Sequence, residues 1–308
     1  MLHRFSLVAP HPIPASLCHH VSQTIEDLTS DYDARPVMTV GLHAHTWLFE
    51  GPDPDDAGGY GSRYSTRADF NEELRGPAMA LAIDSALMTG KMAEAGPAAI
   101  VTDVDSTFIT TEAIEMLAAH AGVEEEVRAV TEAAMRGELD FSQSLAHRVA
   151  MLAGMPESVF GHVLAEVRLT PGARRLVEEI HARGGRFGLV SGGFTEVVGP
   201  LAEREGIDRF VANGLSVESG ALTGRTYGTV IDAAAKVAAV ETWEREWGID
   251  ADMVLCVGDG ANDLPMMRRA GLGVAFQGKP VVREEADCAV SFPRLDAVAA
   301  LVGWDIHA

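Results

Sequence analysis

Residues 98–107 place two carboxylates directly after a stretch that has the composition of a buried strand. The stretch Ala-Ala-Ile-Val-Thr carries no charge and is followed by Asp103 and Asp105. Such runs are typical of parallel strands buried on both faces, and open α/β sheets bind ligands at the carboxyl ends of these strands. Two carboxylates in one pocket repel each other unless a cation or a shared proton compensates. The spacing favours a metal site, although taken alone a solvated turn before a helix is an equally good interpretation.

A serine and two glycines follow a second apolar run. Ser191, Gly192 and Gly193 come directly after residues 187–190, which have the composition of another buried strand. At such a position the serine hydroxyl and nearby backbone N–H groups can face an oxyanion where the next helix begins. In isolation, an ordinary strand-to-helix turn is an equally good interpretation of this segment.

A third carboxylate, Asp259, follows the apolar run at residues 254–257 and lies between two glycines. If this strand is close to the one that precedes Asp103, the two carboxylates converge at one edge of the sheet. Carboxylates together with water and phosphate oxygens form the six-coordinate oxygen site that suits Mg²⁺. The sequence therefore predicts Mg²⁺ as the cofactor.

Lys236 is the only lysine between Lys91 and Lys279, which makes it the main candidate for a fixed positive charge in this pocket. Taken alone, it is better interpreted as a solvated lysine on an alanine-rich helix. Together with the carboxylates it predicts phosphoryl transfer to the protein. In this mechanism Asp103 is the nucleophile, Mg²⁺ and Lys236 neutralise the phosphoryl oxygens, and Asp105 exchanges a proton with the leaving group and with water.

Length and charge limit the partners that this chain can have. It has 308 residues, of which 47% are hydrophobic, and a formal net charge of −21. The length suits about two domains. The charge argues against a nucleic-acid partner, because Lys and Arg bind phosphate backbones, and an anionic substrate needs local cations. No apolar run reaches the ~20 residues of a membrane span and residues 1–15 lack a signal-peptide pattern, so we expect a cytoplasmic protein without a membrane partner.

Residues 1–95 are predicted to form a small α+β domain with the element order strand, helix, strand, strand, helix. Its last helix is predicted over residues 68–92, and a cluster of Gly, Pro and Asp at residues 51–66 predicts an exposed loop before it. His43 and His45 fall on one face of a predicted strand, but no cysteine or carboxylate accompanies them at ligand spacing. We therefore interpret them as exposed histidines rather than a metal pair.

Residues 96–308 alternate strands with helices, which is typical of a parallel α/β sheet. After the first strand, however, no further strand is predicted before residue 187. Amphipathic helices over about residues 112–168 take its place and predict a helical cap over the strand ends. Short edge strands are predicted at residues 209–212 and 215–218.

Four segments, taken in order, resemble the motifs of the haloacid-dehalogenase superfamily of aspartyl-phosphate phosphatases. They are D-V-D-S-T from Asp103, S-G-G from Ser191, the helical Lys236 and G-D-G-A-N-D around Asp259. The serine of D-x-D-S-T and the segments T-T-E-A-I-E, E-A-A-M-R-G-E-L-D-F and S-L-A-H-R-V are similar to the phosphoserine phosphatase branch. The resemblance covers residues 97–301 and implies an α/β fold, with a haloacid-dehalogenase-like Rossmannoid parallel sheet as the core and an inserted helical cap.

The resemblance implies Mg²⁺-dependent hydrolysis of O-phospho-L-serine to L-serine and phosphate through an aspartyl-phosphate intermediate, as the last step of serine biosynthesis. It implies that Asp103 is the phosphorylated nucleophile. Asp105 is then the general acid and base, and its backbone carbonyl also binds Mg²⁺. Asp259 completes the protein ligands of the metal, while Asp263 helps to orient Lys236 and the water shell of the metal.

The same resemblance assigns the contacts with the substrate. The phosphoryl group is held by Ser191, Gly192, Gly193 and Lys236, with Asn262 close to it. In the cap, Glu112 binds the ammonium group and Arg148 the carboxylate, while Met135 and Phe141 shape an apolar lid. Phosphoserine requires one anion, one bidentate cation and a phosphate cradle, and the two charged cap residues are of the right types. Without the resemblance, each is equally well interpreted as a solvated helix residue.

In the same family the amino-terminal extension is often a small ferredoxin-like, amino-acid-binding domain of the ACT type, and residues 1–95 are compatible with one. We hypothesise from this a regulatory role or a homodimer contact. A phosphatase for another small phosphomonoester, such as phosphothreonine or a sugar phosphate, stays open. A non-enzymatic amino-acid sensor also stays open, although the intact motif residues argue against it. A dehalogenase is disfavoured because it has no use for Asp105 or Mg²⁺.

Overall fold

The computed structural model describes residues 1–52, 67–136 and 138–306, apart from the side chains of residues 67–69 and of Met135. Two sheets organise these residues, a four-stranded sheet near the amino terminus and a seven-stranded sheet over the rest. The predicted loop at residues 51–66 lies, from residue 53 onward, outside the described residues. In the described ranges, no helix combines the length and the apolar character that a bilayer crossing requires.

The amino-terminal sheet consists of antiparallel strands with helices between them. Its elements are β1 (Leu2–Ala9), α1 (Ala15–Glu26), β2 (Tyr32–Val37), β3 (His43–Glu50), α2 (Arg67–Ala80), β4 (Asp84–Thr89) and α3 (Gly90–Ala95). The strand order is β2-β3-β1-β4, and every pairing is antiparallel. Helix α1 buries Leu17, Val21 and Ile25, which recur every fourth residue and pack in one apolar cluster with Trp47 of the sheet.

A strand replaces the second half of the helix predicted over residues 68–92, so that prediction was wrong. Helix α2 ends at Ala80, Ala82 has a φ of 55°, and residues 84–89 pair with β1 as strand β4. This segment contains Ala, Leu and Met, which are strong helix formers, but pairing with β1 and burial override that preference. Ala80, the last residue of α2, is exposed. The added strand completes the order βαββαβ of a ferredoxin-like sheet.

The seven-stranded sheet has the order β11-β10-β9-β5-β6-β7-β8, so β5 lies at its centre between β9 and β6. All pairings are parallel except that of β7 with β8. Its elements are β5 (Ala99–Thr102), α4 (Ala113–Ala121), α5 (Glu124–Met135), α6 (Phe141–Ala150), α7 (Val159–Glu166), α8 (Ala173–Ala182), β6 (Arg186–Phe194), α9 (Thr195–Glu205), β7 (Arg209–Glu218), β8 (Ala221–Tyr227), α10 (Ala233–Trp247), β9 (Val254–Gly258), α11 (Leu264–Arg269), β10 (Leu272–Phe276), α12 (Pro280–Glu285), β11 (Cys288–Val290) and α13 (Ala297–Leu301). The predicted fold class is therefore confirmed.

Helices α4 to α7 form the inserted block between β5 and β6, as the sequence predicted. The two short edge strands predicted at residues 209–212 and 215–218 are one continuous strand, β7. Residues 213–214, between the two predicted strands, continue the strand because Asn213 pairs with Phe194 of β6 and Gly214 pairs with Tyr227 of β8. Helix α13 was not predicted.

The amino-terminal sheet packs against the part of the chain that forms the larger sheet. The Asp84 carboxylate, at the start of β4, accepts hydrogen bonds from the N–H and the hydroxyl of Ser291 at 2.6 and 2.7 Å. Arg35 on β2 pairs with Asp305 at 2.9 Å. Val8, on β1, belongs to the same buried apolar cluster as residues of the larger sheet. Residues 1–52 and 67–95 are thus held by both polar and apolar contacts.

Candidate active site

Neighbouring strand ends bring together the polar residues predicted from the sequence. Asp103 directly follows β5, Ser191 lies near the end of β6, and Asp259 follows β9. The backbone N–H of Asp103 donates to the carbonyl of Val257 at 2.9 Å, which fixes the end of β5 to β9. The three side chains therefore lie at the carboxyl edge of the sheet, where parallel α/β sheets bind their ligands.

Lys236 lies at this edge with its side chain fully buried. Its Nζ donates to Oδ1 of Asp103 at 2.8 Å and to Oδ1 of Asp263 at 2.7 Å. Burial alone lowers the pKa of the lysine, but the charges of the two carboxylates outweigh it and raise the pKa above its usual value. Helix α10 holds the lysine in place, because the Asp232 side chain caps its first turn by accepting the N–H of Ala235 at 2.8 Å. Lys236 is a fixed cation beside Asp103 and not a solvated helix residue.

Carboxylate oxygens of Asp103, Asp259 and Asp263 lie within 4.8 Å of one another. Burial, followed by the charge of Asp263, raises the pKa of Asp259 to about 6, and burial raises that of Asp103 well above its usual range. Both oxygens of Asp263 have partners, Lys236 and, at 3.1 Å, the N–H of Gly260. An oxygen cluster in which one lysine faces three carboxylates is a donor set for a hard divalent cation. The residues therefore fit a bound metal ion.

This cluster includes the side chain of Asp263 and does not include that of Asp105. Asp105 lies in the turn at residues 104–108, where its backbone is not helical and its Oδ1 accepts the N–H of Ala113 at 2.7 Å. Its Oδ2 approaches Gly193 so closely that a β-carbon there would come within 2.6 Å. Burial, and next the charge of Glu112, raise the pKa of Asp105 to about 7. This carboxyl can hold or release a proton near neutral pH, while its predicted metal contact through the backbone carbonyl stays a prediction.

The Ser191 hydroxyl is buried and accepts the N–H of Gly193 at 2.8 Å, which leaves its own proton for another acceptor. The next carbonyl, that of Gly192, accepts a hydrogen bond from Nδ2 of Asn213 at 2.8 Å. Oδ1 of Asn213 accepts the N–H of Ile231 at 2.9 Å, just before helix α10. Asn213 therefore ties the end of β6 to the helix that carries the buried lysine. Sequence reasoning missed it, although an asparagine inside a strand is itself an unusual signal.

A cavity of about 490 Å³ lies between these strand ends and the cap. The predicted site residues that line it are Asp103, Asp105, Glu112, Phe141, Arg148, Gly192, Gly193, Asp259 and Asn262. The predicted residues Ser191, Lys236 and Asp263 are buried next to the lining residues. Met135 ends helix α5, and its side chain lies outside the described residues. Glu115 and Lys279 also line the cavity and were not predicted.

Arg148 and Glu112 are two of the charged cap residues that line this cavity. The Arg148 Nε donates to the carbonyl of Ser144 at 3.3 Å, and none of the described carboxylates forms an ion pair with its guanidinium. Burial lowers the pKa of Arg148, against the opposing charge of Glu112. Glu112 accepts a hydrogen bond from Oγ of Ser106 at 2.8 Å. A half-buried guanidinium without an acidic partner is a receptor for a carboxylate or a phosphate.

Phe141 brings the cap into contact with the sheet. A β-carbon built on Gly192 would lie 3.2 Å from its ring. Helix α6 begins at this residue with a capping box, in which Asp140 and Gln143 satisfy each other's backbone N–H groups. The capping box therefore fixes the start of the cap helix whose aromatic ring covers the end of β6.

Comparison with known proteins assigns the chain to a family. Residues 100–268 match the model of the haloacid dehalogenase-like hydrolases, and the chain belongs to this family. Within it, the chain is similar to phosphoserine phosphatases. The phosphoserine phosphatase of Streptomyces coelicolor is 50% identical over 226 residues, which are 73% of this chain and 55% of that relative. The chain thus spans about half the length of this curated relative.

Solved structures agree with this assignment. An unliganded probable phosphoserine phosphatase from Vibrio cholerae has a TM-score of 0.74 at 31% identity, over 97% of this chain and 86% of that chain. A phosphoserine phosphatase solved as a phospho-aspartyl intermediate analogue has a TM-score of 0.62 at 38% identity, over 65% of this chain and 96% of that chain. The first similarity includes the amino-terminal sheet, because it covers nearly the whole chain.

Proposed function

We propose that the chain hydrolyses O-phospho-L-serine to L-serine and phosphate, with Mg²⁺ as the cofactor. The observation that carries this proposal is the buried contact of Asp103 with Lys236 beside a cavity whose cap wall holds an unpaired Arg148. Asp103 and Lys236 at the strand ends suit transfer of a phosphoryl group to a carboxylate. Arg148 and Glu112 in the cap suit binding of the carboxylate and the ammonium group of an amino acid. The similarity to phosphoserine phosphatases, one of them solved as a phospho-aspartyl analogue, supports the same reaction.

In the first step, an oxygen of Asp103 forms a bond to phosphorus while the bond between phosphorus and the serine oxygen breaks. Lys236, at 2.8 Å from Asp103, favours the ionised carboxylate that this attack requires. The donors that we propose for the phosphoryl oxygens are the Ser191 hydroxyl proton and the backbone N–H of Gly192, while Gly193 orients the serine by donating its N–H to the serine oxygen. Such fixed donors stabilise the charge that develops in the transition state.

Asp105 moves the proton in both steps. With a pKa raised to about 7, it is partly protonated at neutral pH and donates its proton to the departing serine oxygen. The resulting carboxylate then takes a proton from the water that attacks the phosphorylated Asp103. This second step releases phosphate and restores both side chains.

The metal ligands in this proposal are the side chains of Asp103 and Asp259 and the backbone carbonyl of Asp105. A bound Mg²⁺ ion supplies positive charge to the phosphoryl oxygens. Asp263 acts as a positioning residue, because its oxygens hold Lys236 and the N–H of Gly260.

Arg148 and Glu112 select the amino-acid part of the substrate. Arg148 offers two parallel N–H groups to the substrate carboxylate, and Glu112 pairs with the ammonium group. Asn262 and Phe141 also line the cavity, and we assign Asn262 to the phosphoryl group and Phe141 to the lid. The contribution of Met135 to the lid stays a prediction.

We place this reaction in the cytoplasm, as the last step of serine biosynthesis. We also infer a domain boundary near residue 95, with residues 96–308 as the catalytic domain and about residues 112–168 as its cap. The separate four-stranded sheet supports this division. A homodimer contact through residues 1–95 stays a hypothesis, which the molar mass of the purified chain in solution tests.

A steady-state assay tests the proposed function. The purified chain should release phosphate from phosphoserine in the presence of Mg²⁺, lose activity with excess EDTA, and recover it when Mg²⁺ is restored. Phosphothreonine and p-nitrophenyl phosphate serve as comparison substrates. Equal kcat/KM values for all three would contradict the role of the cap wall, and no turnover of any of them would contradict a phosphatase.

A further inference from the structure

Ser106 adopts a backbone conformation that is unfavourable for a residue with a side chain. Its φ and ψ are 57° and 3°, in the left-handed region, within the turn that follows β5. In the described part of the chain, the other non-glycine residues with positive φ are Ala82, Ser219 and Gln277. Glycine adopts this conformation without steric cost. The backbone at this position therefore gives no reason for a serine, and the reason must lie in its hydroxyl group.

The hydroxyl of Ser106 contacts the first residues of the cap. Its Oγ donates to Oε1 of Glu112 at 2.8 Å, while the neighbouring Asp105 accepts the N–H of Ala113 at 2.7 Å. Two consecutive turn residues thus hold the start of helix α4, but only the serine bond reaches the carboxylate that lines the cavity. A hydrogen bond to a charged group contributes more than one between neutral groups. This bond restricts the rotamers of Glu112 before any substrate binds.

We propose that Ser106 is a specificity-determining positioning residue, which holds Oε1 of Glu112 so that this carboxylate is oriented toward the substrate ammonium group. The inference rests on the proposed function, because it assigns that ammonium group to Glu112. Ser106 acts through Glu112 alone. Its removal should therefore weaken discrimination for the ammonium group and should not affect recognition of the phosphate or the carboxylate.

The test compares two substrates that differ only in the ammonium group. They are phosphoserine and O-phospho-3-hydroxypropionate, and the measured quantity is the ratio of their kcat/KM values, here called the ammonium preference. We expect Ser106→Gly and Ser106→Ala each to lower this preference by about tenfold, mainly through KM for phosphoserine, because a charge-assisted hydrogen bond is lost. With Glu112→Gln already present, Ser106→Gly should lower the preference by less than about twofold, because the charge on which it acts is gone.

Ser219 supplies a matched control for the backbone effect. It has a φ of 51°, is exposed at the β7–β8 connection, and does not line the cavity. Ser219→Gly removes the same conformational strain, so it should keep the ammonium preference of the unmodified chain. The Tm of Ser106→Gly should exceed that of Ser106→Ala, since only glycine relieves the left-handed strain. Loss of specificity together with the higher Tm would separate positioning from general destabilisation.

The outcomes distinguish this inference from the proposed function. An unmodified chain that shows no ammonium preference contradicts the role of Glu112 in the proposed function. If the unmodified chain shows the preference and both Ser106 variants keep it, the inference is overturned and the proposed function stands. An equal fall in kcat/KM for both substrates, with a lower Tm, would show that Ser106 only supports the fold of the turn and would also overturn the inference.

Discussion

The sheet edge and the cap wall of the cavity, which contains Glu112 and Arg148, differ in how their charged side chains are paired. At the sheet edge, Asp103, Lys236 and Asp263 are buried, and both carboxylates accept a hydrogen bond from the lysine. In the cap wall, Arg148 has no carboxylate partner in the described residues, and Glu112 has a serine hydroxyl as its partner. These two bonds form within the protein, so the positions of the three side chains are set before a substrate arrives. In the proposed function, the two cap residues obtain their charged partners from the substrate, so that chemistry and selectivity are carried by separate layers of the molecule.

The largest expected effect breaks the sheet edge. Asp103→Asn keeps the shape of the side chain and removes the nucleophile, so kcat for every phosphomonoester should fall by at least about 10⁴-fold. The Tm should be retained, because Lys236 keeps its bond to Asp263. Steady-state kinetics and acid-quenched labelling with radioactive phosphoserine measure both turnover and the covalent intermediate. Substantial turnover by this variant would rule out an aspartyl-phosphate mechanism.

A second variant tests whether charge at the sheet edge is balanced within the protein. Lys236→Met leaves two buried carboxylates, Asp103 and Asp263, without the cation that they share. We expect the free energy of unfolding to fall by about 3–5 kcal/mol. The matched change in the cap wall, Arg148→Met, should alter it by less than about 1 kcal/mol, because no ion pair is broken.

Urea unfolding of both variants in EDTA gives these two values, since a bound metal ion would otherwise offset part of the loss. Similar destabilisation by the two changes would contradict the contrast between the sheet edge and the cap wall.

A third variant sharpens the contrast through substrate choice. Arg148→Ala removes the proposed carboxylate clamp and should lower kcat/KM for phosphoserine by about 100-fold, chiefly through KM, since charge-assisted hydrogen bonds are lost. The value for p-nitrophenyl phosphate, which has no carboxylate, should change by less than about threefold. Arg148→Lys keeps the charge without the bidentate geometry. Its kcat/KM for phosphoserine should lie between those of the unmodified chain and of Arg148→Ala. Equal losses on both substrates would remove Arg148 from this role.

The smallest effect concerns a residue below the sheet edge. Asn213→Ala removes the hydrogen bonds to Gly192 and Ile231. It should lower kcat by about tenfold for both phosphoserine and p-nitrophenyl phosphate, because the end of β6 and the start of helix α10 lose their fixed positions. Asn213→Asp keeps the acceptor for Ile231 and loses the donor for Gly192. If the Gly192 bond is the important one, both variants should show the same kcat. Unchanged kcat in both, with only a lower Tm, would limit Asn213 to a structural role.

The residues at the sheet edge could be predicted because each signal is local in sequence. Asp103, Ser191 and Asp259 each stand at the end of an apolar run, and parallel strands must bring such ends to one edge of the sheet. The cap wall was harder to predict. Periodicity places Glu112 and Arg148 at helical positions, but it does not distinguish a solvated charge from one that faces a cavity. Their roles came from resemblance to a family, and their position at the cavity is visible only in the folded chain.

Features that depend on partners distant in sequence could not be predicted. Residues 84–89 have helix-forming composition and become strand β4 because β1 pairs with them. The Asn213 side chain bonds to the carbonyl of Gly192 before it in the chain and to the N–H of Ile231 after it. Neither separation along the chain forms a recognisable motif. The proposed role of Ser106 depends on the hydrogen bond from its hydroxyl to Glu112, which sequence patterns do not report. In each case the tertiary context decides what the local sequence leaves open.

The absence of a side chain at Gly192 sets how closely the cap can approach the sheet. The Phe141 ring packs against the backbone of Gly192, and a methyl group at this position would lie 3.2 Å from the ring, closer than an ordinary contact. Both residues line the cavity, so the shape of its wall on this side depends on position 192 having no side chain. A larger residue there would have to displace the Phe141 ring, and with it the start of helix α6, from the end of β6.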